Sequence, residues 1–253
     1  MTDSTTTISG IQPVPSRIRS IGKEVGIGTT APYYCTLRGI LKFDHPQDAP
    51  NCVYNELVAM RLGVCLGAPI AMGTLVAAER GEGFVSLMVG ATNFSLPDLD
   101  EALWGKASLA FPNHAASLIA FDIFIGNIDR RDNLKVDVKR PNMQFFAAFD
   151  HSHCLLDANL DPEKSLELLQ SSDPMLNEHP FFKAPGVTLE RVMAHAERIS
   201  QLSEEVIFNT CVFGEVFRRV TLEQQESLAE ALCQRRLALP NIIRDNASMI
   251  VRR

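Results

Sequence analysis

The sequence lacks the features that mark several classes of protein. No stretch reaches the about 18 uninterrupted apolar residues of a membrane-spanning helix, and residues 1–10 show neither the basic start nor the apolar core of a secretory signal. The six cysteines form no CxxC pair and no matched spacing, which argues against a cysteine zinc site and a disulfide framework. We therefore expect a cytoplasmic protein that is not exported and has no membrane span.

Positive charge is also not concentrated. The formal net charge is −6, and lysine and arginine are scattered except for short pairs such as those that begin at Arg130, Arg218 and Arg235. Because charged side chains are mostly exposed, we interpret these pairs as solvated helix surface. We expect no broad nucleic-acid-binding surface.

What the chain does have is enough apolar material for a large core, with 253 residues that are 46% hydrophobic. Residues 1–15 predict a disordered lead-in. Residues 16–90 predict mostly strands with one helix, and residues 91–253 predict mostly helices. This order predicts an α+β fold of two lobes, a small antiparallel-sheet N-lobe with one helix and a mainly helical C-lobe. A ligand-binding cleft is expected between them.

Two neighbouring elements of the first lobe each carry a charged residue. Residues 39–43 predict a strand whose alternation turns Lys42 away from its apolar neighbours. Residues 51–66 predict a helix with Glu56 at the edge of its apolar face. A buried unpaired carboxylate is costly, so we expect a basic partner, and Lys42 is the nearest in sequence. The alternative is that Glu56 reaches solvent, as glutamate usually does.

Further elements follow in order. Residues 73–79 and 83–89 predict two strands joined by a turn at 80–82, and Gly90 is a candidate hinge. Residues 113–125 are too apolar all round to lie at a surface, which predicts a buried helix. Later helices are predicted at residues 162–170, 188–199, 203–220 and 222–237.

A polar loop follows the buried helix directly. Its sequence, GNIDRRDN at residues 126–133, holds five Gly, Asn or Asp residues, more than a turn requires, so we infer a metal or phosphate role. The next strand, at residues 144–149, leads into Asp150. Together Asp129, Asn133 and Asp150 offer the oxygen ligands that Mg²⁺ uses when it also holds phosphate oxygens.

A lysine in a strand, a glutamate in the next helix, a D-R-x-x-N-like loop and an aspartate at the next strand end resemble the HipA-like kinases. More distantly, they resemble the phosphatidylinositol 3- and 4-kinases. The resemblance covers roughly residues 21–156 and is closest in FDIFIGNIDRR at 121–131 and FDH at 149–151. It implies a kinase that transfers the γ-phosphoryl group of ATP, bound with Mg²⁺, to a hydroxyl acceptor, with a protein Ser/Thr residue favoured.

The resemblance also implies a role for each matched residue. Lys42 would contact the α- and β-phosphates and pair with Glu56. Asp129 would orient or deprotonate the acceptor hydroxyl. Asn133 and Asp150 would hold Mg²⁺.

The chain departs from the family pattern in its loop. The family places the metal-binding asparagine five residues after the catalytic aspartate, whereas Asn133 is four after Asp129, so the loop is one residue shorter. Asp132 is therefore a further candidate metal ligand. Residues 26–30, GIGTT, could cover phosphates or form only a hairpin turn.

Two other functions stay open. One is a kinase-shaped protein that binds nucleotide or a partner without catalysis, because the shorter loop could misplace a metal ligand. The other is a metal-dependent hydrolase that uses Asp129, Asp150, His151 and His153. Bacterial relatives of the family often belong to toxin–antitoxin pairs, which implies a possible partner of that kind, while the acceptor stays unnamed.

Overall fold

A computed structural model describes the protein over residues 18–25, 32–88, 98–138, 145–159, 161–176 and 178–252. The expected lead-in at 1–15, the candidate phosphate segment at 26–30 and the candidate hinge Gly90 lie outside these ranges.

The strands before residue 90 form two small antiparallel sheets. One pairs β1 (Ile18–Glu24) with β2 (Tyr33–Leu37). The other has the order β3-β5-β4, where β3 is Gly39–Lys42, β4 is Gly73–Ala78 and β5 is Gly81–Leu87. The expected strand at 39–43 is confirmed, but it pairs with β5 and not with the hairpin that precedes it.

The turn between β4 and β5 is tighter than predicted. Ala78 pairs with Gly81, which leaves Glu79 and Arg80 as a two-residue turn, where the sequence predicts a turn at 80–82. Gly81 has a φ of 109°, a conformation that a residue without Cβ adopts easily. The glycine therefore serves as the first residue of β5, directly after the turn.

Among the described residues of this part, the single helix is α1 (Cys52–Leu66), and its prediction is confirmed. It ends at Gly67, whose φ of 63° is left-handed and whose N–H bonds back to the carbonyls of Gly63 and Val64. Most of its residues are buried, including Glu56. This burial brings a charged group into the interior.

The next helices are α2 (Trp104–Ala110) and α3 (Pro112–Ile125). Residues 115–125 are all buried, so the prediction of a helix enclosed on every side is confirmed. Pro112 occupies the first turn, where its missing N–H costs nothing, and Gly126 ends the helix with a φ of 64°.

Among the described residues, no single helix has the length and apolar character needed to cross a membrane. The stretches Glu101–Ala110 and Pro112–Ile125 reach that length and apolar character only when they are taken together, and the pair is bent by 112°.

Two short strands follow α3. They are β6 (Leu134–Val136) and β7 (Phe146–Ala148), which pair antiparallel with Leu134 opposite Ala148. Ala148 also bonds to the segment after α1, with its N–H 2.8 Å from the carbonyl of Pro69. This ladder connects the loop after α3 with the chain that leads into Asp150.

The remaining helices are α4 (Pro162–Gln170), α5 (Leu189–Ser200), α6 (Glu204–Cys211), α7 (Leu222–Asp245) and α8 (Ala247–Ile250). The predictions at 162–170 and 188–199 are confirmed.

Two helix boundaries differ from their predictions. The helix predicted over 203–220 ends at Cys211, because Val212 is extended and Gly214 has a left-handed φ of 78°. The helix predicted over 222–237 continues to Asp245 through Pro240. The proline removes one helical hydrogen bond. Buried residues on either side of it, Leu239 and Ile242, pack into the core and keep the helix continuous.

One hydrophobic cluster joins α1, α3, β6, β7 and the later helices, from Tyr54 to Ile250. The fold is thus mixed α and β, with small antiparallel sheets before residue 90 and many helices after it. The division into two lobes at about residue 90 stays a prediction.

Candidate functional site

Lys42 lies at the centre of the site. Its Nζ is 2.5 Å from Oε1 of Glu56 and 2.7 Å from Oδ1 of Asp150. Strand β3 supplies the lysine, α1 the glutamate and the segment after β7 the second acid. Glu56 is 2% exposed, so the predicted pairing is confirmed and the alternative that it reaches solvent is wrong.

The charges of Lys42, Glu56 and Asp150 stabilise one another. Burial favours the neutral form of Glu56, but contacts with His151 and Lys42 outweigh it and hold the pKa of Glu56 below its ordinary value. Burial likewise opposes the charge on Lys42, and the two carboxylates outweigh it and raise the pKa of the lysine. At neutral pH the lysine is therefore a cation between two anions.

Asp150 is held in an unusual backbone conformation, with a φ of 57°. Its Oδ1 accepts hydrogen bonds from the hydroxyl of Ser152 at 2.7 Å and from the Ser152 N–H at 3.3 Å. Burial raises the pKa of Asp150, but Lys42 and these bonds lower it to about 2. Neighbouring His151 donates its backbone N–H to Oε1 of Glu56 at 3.0 Å.

The polar loop after α3 brings together a second group. Nδ2 of Asn133 donates to the carbonyl of Asp129 at 2.7 Å and to its carboxylate at 3.3 Å. The loop is closed further by the N–H of Asn133, which bonds to the carbonyl of Arg130. Asp129 itself is exposed.

Hydrogen bonds join the loop that carries Asp129 and Asn133 to the segment that carries Asp150. The Phe149 N–H donates to the Asn133 carbonyl at 3.1 Å, which extends the β6–β7 ladder. Nη1 of Arg130 donates to both the carbonyl of Asn133, at 3.2 Å, and that of Phe149, at 2.6 Å. The loop that carries Asp129 and the residue before Asp150 therefore share one arginine.

Arg130 in turn belongs to a buried network. Its Nε and Nη2 donate to the carboxylate of Asp122 in α3, at 2.8 and 2.9 Å. The same carboxylate receives Nδ2 of Asn127 at 3.1 Å and contacts Nε2 of His179 at 3.1 Å. Burial favours neutral Asp122, but Arg130 outweighs it and holds the pKa of this acid well below its ordinary value. This network fixes the loop to the core of the protein.

The sequence does not identify this network. The interpretation of the arginine pairs as solvated surface is wrong for Arg130 and Arg235, which are 2% and 1% exposed. Arg218 is ion-paired with Asp44 at 2.6 Å. The sequence does contain one signal for the burial of Arg130. Asp122 stands eight residues earlier, inside an otherwise apolar helix, and a buried carboxylate needs a cationic partner.

The residues present fit a bound Mg²⁺. Oδ1 of Asn133 and Oδ2 of Asp150 take part in no hydrogen bond within the described residues, so each offers a free oxygen from one end of the same strand pair. Asp132 is exposed, and its carboxylate accepts no hydrogen bond in that part of the chain. Among the described residues, no group of three or more His, Cys, Asp or Glu side chains is placed to hold a metal ion. The metal-dependent hydrolase stays an untested alternative.

Asp129 borders a pocket of about 580 Å³. The walls include Trp104, Phe182 and Arg131, whose guanidinium lies 2.6 Å from the carboxylate of Glu101 and 5.6 Å from the Trp104 ring. Aromatic and charged side chains thus surround the space beside the Asp129 carboxylate.

When the chain is compared with known proteins, the matches are to solved structures. No protein-family model matches the chain, and no curated protein matches it. HipA of Shewanella oneidensis MR-1, solved with HipB and operator DNA, superposes with a TM-score of 0.55 at 14% identity, covering 85% of this chain. CtkA, a proinflammatory kinase of Helicobacter pylori, superposes with a TM-score of 0.53 at 15% identity, covering 90% of this chain and 95% of its own.

The chain spans 62% of the length of HipA. At these identities the matches establish the fold. The HipA-like kinase fold that the sequence resembles is therefore confirmed.

Proposed function

We propose that this protein is an ATP-dependent kinase that transfers the γ-phosphoryl group to a hydroxyl acceptor, with a Ser/Thr residue of a protein favoured. One observation carries the proposal. Lys42 is bound at once to Glu56 and Asp150, and the segment with Asp150 is fastened to the loop of Asp129 and Asn133. Phosphoryl transfer needs these parts together.

Lys42 supplies the cation for the phosphates. Its ammonium is charged and oriented by two carboxylates, so it needs little reorganisation when ATP oxygens approach. Glu56 keeps the lysine in place because it is buried, while Asp150 is partly exposed, with 29% of its side chain accessible. We infer that Lys42 keeps the bond to Glu56 and exchanges that to Asp150 for phosphate.

Asn133 and Asp150 would hold Mg²⁺ through their free oxygens, and the ion would neutralise charge on the phosphates. Mg²⁺ typically takes only one or two protein carboxylates, and phosphate and water complete its coordination. A pair of protein ligands is therefore enough.

Asp129 is the proposed base. It accepts the proton of the acceptor hydroxyl while that oxygen forms a bond to the γ-phosphorus and the bond to the ADP oxygen breaks. Its exposure and its position at the 580 Å³ pocket allow an acceptor to approach from solvent. The contact with Asn133 orients its carboxylate.

The test is thermal unfolding of the wild type and Asp150→Asn with ATP, with Mg²⁺ and with both. Ligand at about a hundred times its dissociation constant stabilises by roughly 2.7 kcal/mol, which at this length raises Tm by about 5 to 10 °C. We expect the rise in wild type only with both ligands, and none in Asp150→Asn. Asp245→Asn, a change at the exposed end of α7, is the matched control and should behave as wild type.

Turnover is measured separately with γ-labelled ATP and Asp129→Ala. This variant should keep the thermal shift and lose phosphoryl transfer by about 10² to 10⁴ if Asp129 is a general base. If wild type and Asp129→Ala both show the Tm rise and neither transfers phosphate, the protein binds nucleotide without catalysis. No shift in wild type would refute the proposal.

A further inference from the structure

The segment between α6 and α7, residues 212–221, lies against the outer side of α1. We call it the α6–α7 connector. Its two phenylalanines, Phe213 and Phe217, stack with ring centroids 4.6 Å apart. Both rings also contact Tyr54 of α1, at 5.9 and 5.8 Å. Tyr54 stands two residues before Glu56, so the connector packs on the helix that carries Glu56, at a different face from Glu56 itself.

The connector is shaped by one buried side chain of α7. Gln225, which is 0% exposed, accepts the N–H of Phe213 at 2.8 Å. Its Nε2 donates to the carbonyls of Glu215, at 2.8 Å, and Val220, at 3.2 Å. An irregular segment with buried backbone groups needs such partners, and α7 belongs to the main core. The connector is therefore an ordered link from the core to α1.

The end of α6 bonds to α1 as well. The Tyr54 hydroxyl donates to the carbonyl of Cys211 at 2.8 Å. Arg61, two turns further along α1, donates to the carbonyls of Thr210 and Asn209, at 3.2 and 2.7 Å. These carbonyls lie in the last turn of α6, where helical partners are missing, so the bonds to α1 satisfy them. Two positions on α1 are thus tied to the same point.

Arg218 extends the link to the strand that carries Lys42. Its Nε is 2.6 Å from Oδ2 of Asp44, two residues after the lysine, and its Nη1 donates to the carbonyl of Glu82 in β5 at 2.6 Å. The other oxygen of Asp44 accepts the Val53 N–H in the first turn of α1, at 2.9 Å. One guanidinium therefore contacts β5 and an acid that already joins the end of β3 to the start of α1.

The Arg218 backbone points to a specific role for this residue. Its φ of 57° is left-handed, a backbone conformation that is unfavourable for an arginine. Neighbouring Arg219 is exposed and makes no hydrogen bond or ion pair with the part of the chain that the structure describes. The two adjacent arginines thus offer a matched comparison.

We propose that the α6–α7 connector is a brace that holds α1 in the position where Glu56 binds Lys42, and that Arg218 is its positioning residue. In protein kinases the corresponding lysine–glutamate pair must be in place for activity, and helix position controls it. In this chain the brace supplies that position from within the fold, without a separate activating event. The kinetic part of the proposal rests on the proposed kinase function.

The first experiment does not depend on nucleotide. Cys52, the first residue of α1, is 4% exposed, and its burial beside Glu56 raises the pKa of the thiol to about 12, so it should label slowly. In Arg218→Ala we expect labelling of Cys52 by a thiol reagent to accelerate about tenfold or more, as α1 opens locally. Arg219→Ala should label as wild type. Cys211, 0% exposed in the main core, should stay protected in both, which separates local opening from unfolding.

The second experiment measures phosphoryl transfer by the same variants. Arg218→Ala should lower kcat by about 10- to 100-fold, because small misplacement of reacting groups has effects of that size, while the KM for the acceptor is unchanged. Arg218→Lys should recover part of the loss, because an ammonium can reach Asp44 but cannot match the two-directional contact of a guanidinium.

The outcomes separate the two proposals. Equal Cys52 labelling in Arg218→Ala and Arg219→Ala would overturn the brace, whatever the wild type does with ATP. Faster labelling in Arg218→Ala supports the brace even if wild type binds no ATP, a result that would remove the kinase proposal alone. Faster labelling with unchanged kcat would overturn the positioning role.

Discussion

Replacing Lys42 with methionine removes the cation from a buried carboxylate and keeps a side chain of similar length. Glu56 is 3% accessible at its side chain, and within the described residues the hydrogen bond and ion pair left to it without Lys42 are those with His151. Breaking a buried ion pair in this way typically costs about 3 to 5 kcal/mol of folding free energy. Protonation of Glu56 limits that cost, because it removes the buried charge.

The free energy of protonating Glu56 sets the size of the stability loss. Keeping a carboxyl with the ordinary value of 4.5 protonated at pH 7 costs about 3.4 kcal/mol, at 1.36 kcal/mol for each pH unit. At pH 5.5 the same step costs about 1.4 kcal/mol. We therefore expect Lys42→Met to lose about 3 kcal/mol at pH 7 and about 2 kcal/mol less than that at pH 5.5.

The assay is urea and thermal unfolding at both pH values. At about 2 to 4 °C per kcal/mol, the fall in Tm should be roughly 6 to 12 °C at pH 7 and 2 to 4 °C at pH 5.5. Lys106→Met, an exposed change on α2, controls for the loss of a surface charge. The double variant Lys42→Met with Glu56→Gln removes both charges of this pair and should lose the pH dependence.

Two results would refute the reasoning. A loss below about 1 kcal/mol at both pH values would mean that Glu56 is solvated after Lys42 is removed. A pH dependence that persists in the double variant would show that another group, and not Glu56, takes up the proton.

Two further predictions concern stability. Arg235→Leu should lower the free energy of unfolding by about 3 to 5 kcal/mol, because the Arg235 guanidinium donates to buried carbonyls of α3, α4 and the segment after α4, including those of Ile123 and Leu169. Arg198→Leu, an exposed change on α5, should lower it by under about 1 kcal/mol, and equal losses would contradict the structural role of Arg235. The second concerns acid: the pKa of Asp150 lies at about 2, below its ordinary 3.8, so its charged form stabilises the fold above pH 4 and that contribution disappears as the pH falls towards 2. The Tm of wild type should thus exceed that of Asp150→Asn more at pH 5 than at pH 2, and a constant difference would count against the lowered pKa.

The sequence predicts those elements whose local pattern and tertiary setting agree. The apolar intervals of α1 and the continuous apolar run of α3 identify both helices, and the glycines at 67 and 126 mark their ends. The Lys42–Glu56 pair follows from one argument, that a carboxylate on an apolar face needs a cation nearby. Local reasoning succeeds there because the partner is close in sequence.

Other features depend on contacts that are distant in sequence. Residues 203–220 have helical periodicity throughout, but Phe213 and Phe217 pack on Tyr54 of α1, and that contact favours an irregular segment over a longer α6. The buried partners of Arg130 and Arg235 are likewise carboxylates and carbonyls that only the fold brings near. A charge pattern alone does not reveal them, since an exposed arginine and a buried one look the same in sequence.

The backbone of Asp150 has a consequence for how this chain can change over generations. Its left-handed φ of 57° suits aspartate and asparagine better than other residues with a side chain. Codons for these two residues differ by a single base. The easiest mutation that the fold accepts at this position is thus to asparagine, which removes the charge of the proposed metal ligand. Under the proposed function, descendants of the gene could therefore lose phosphoryl transfer in one step and keep the fold.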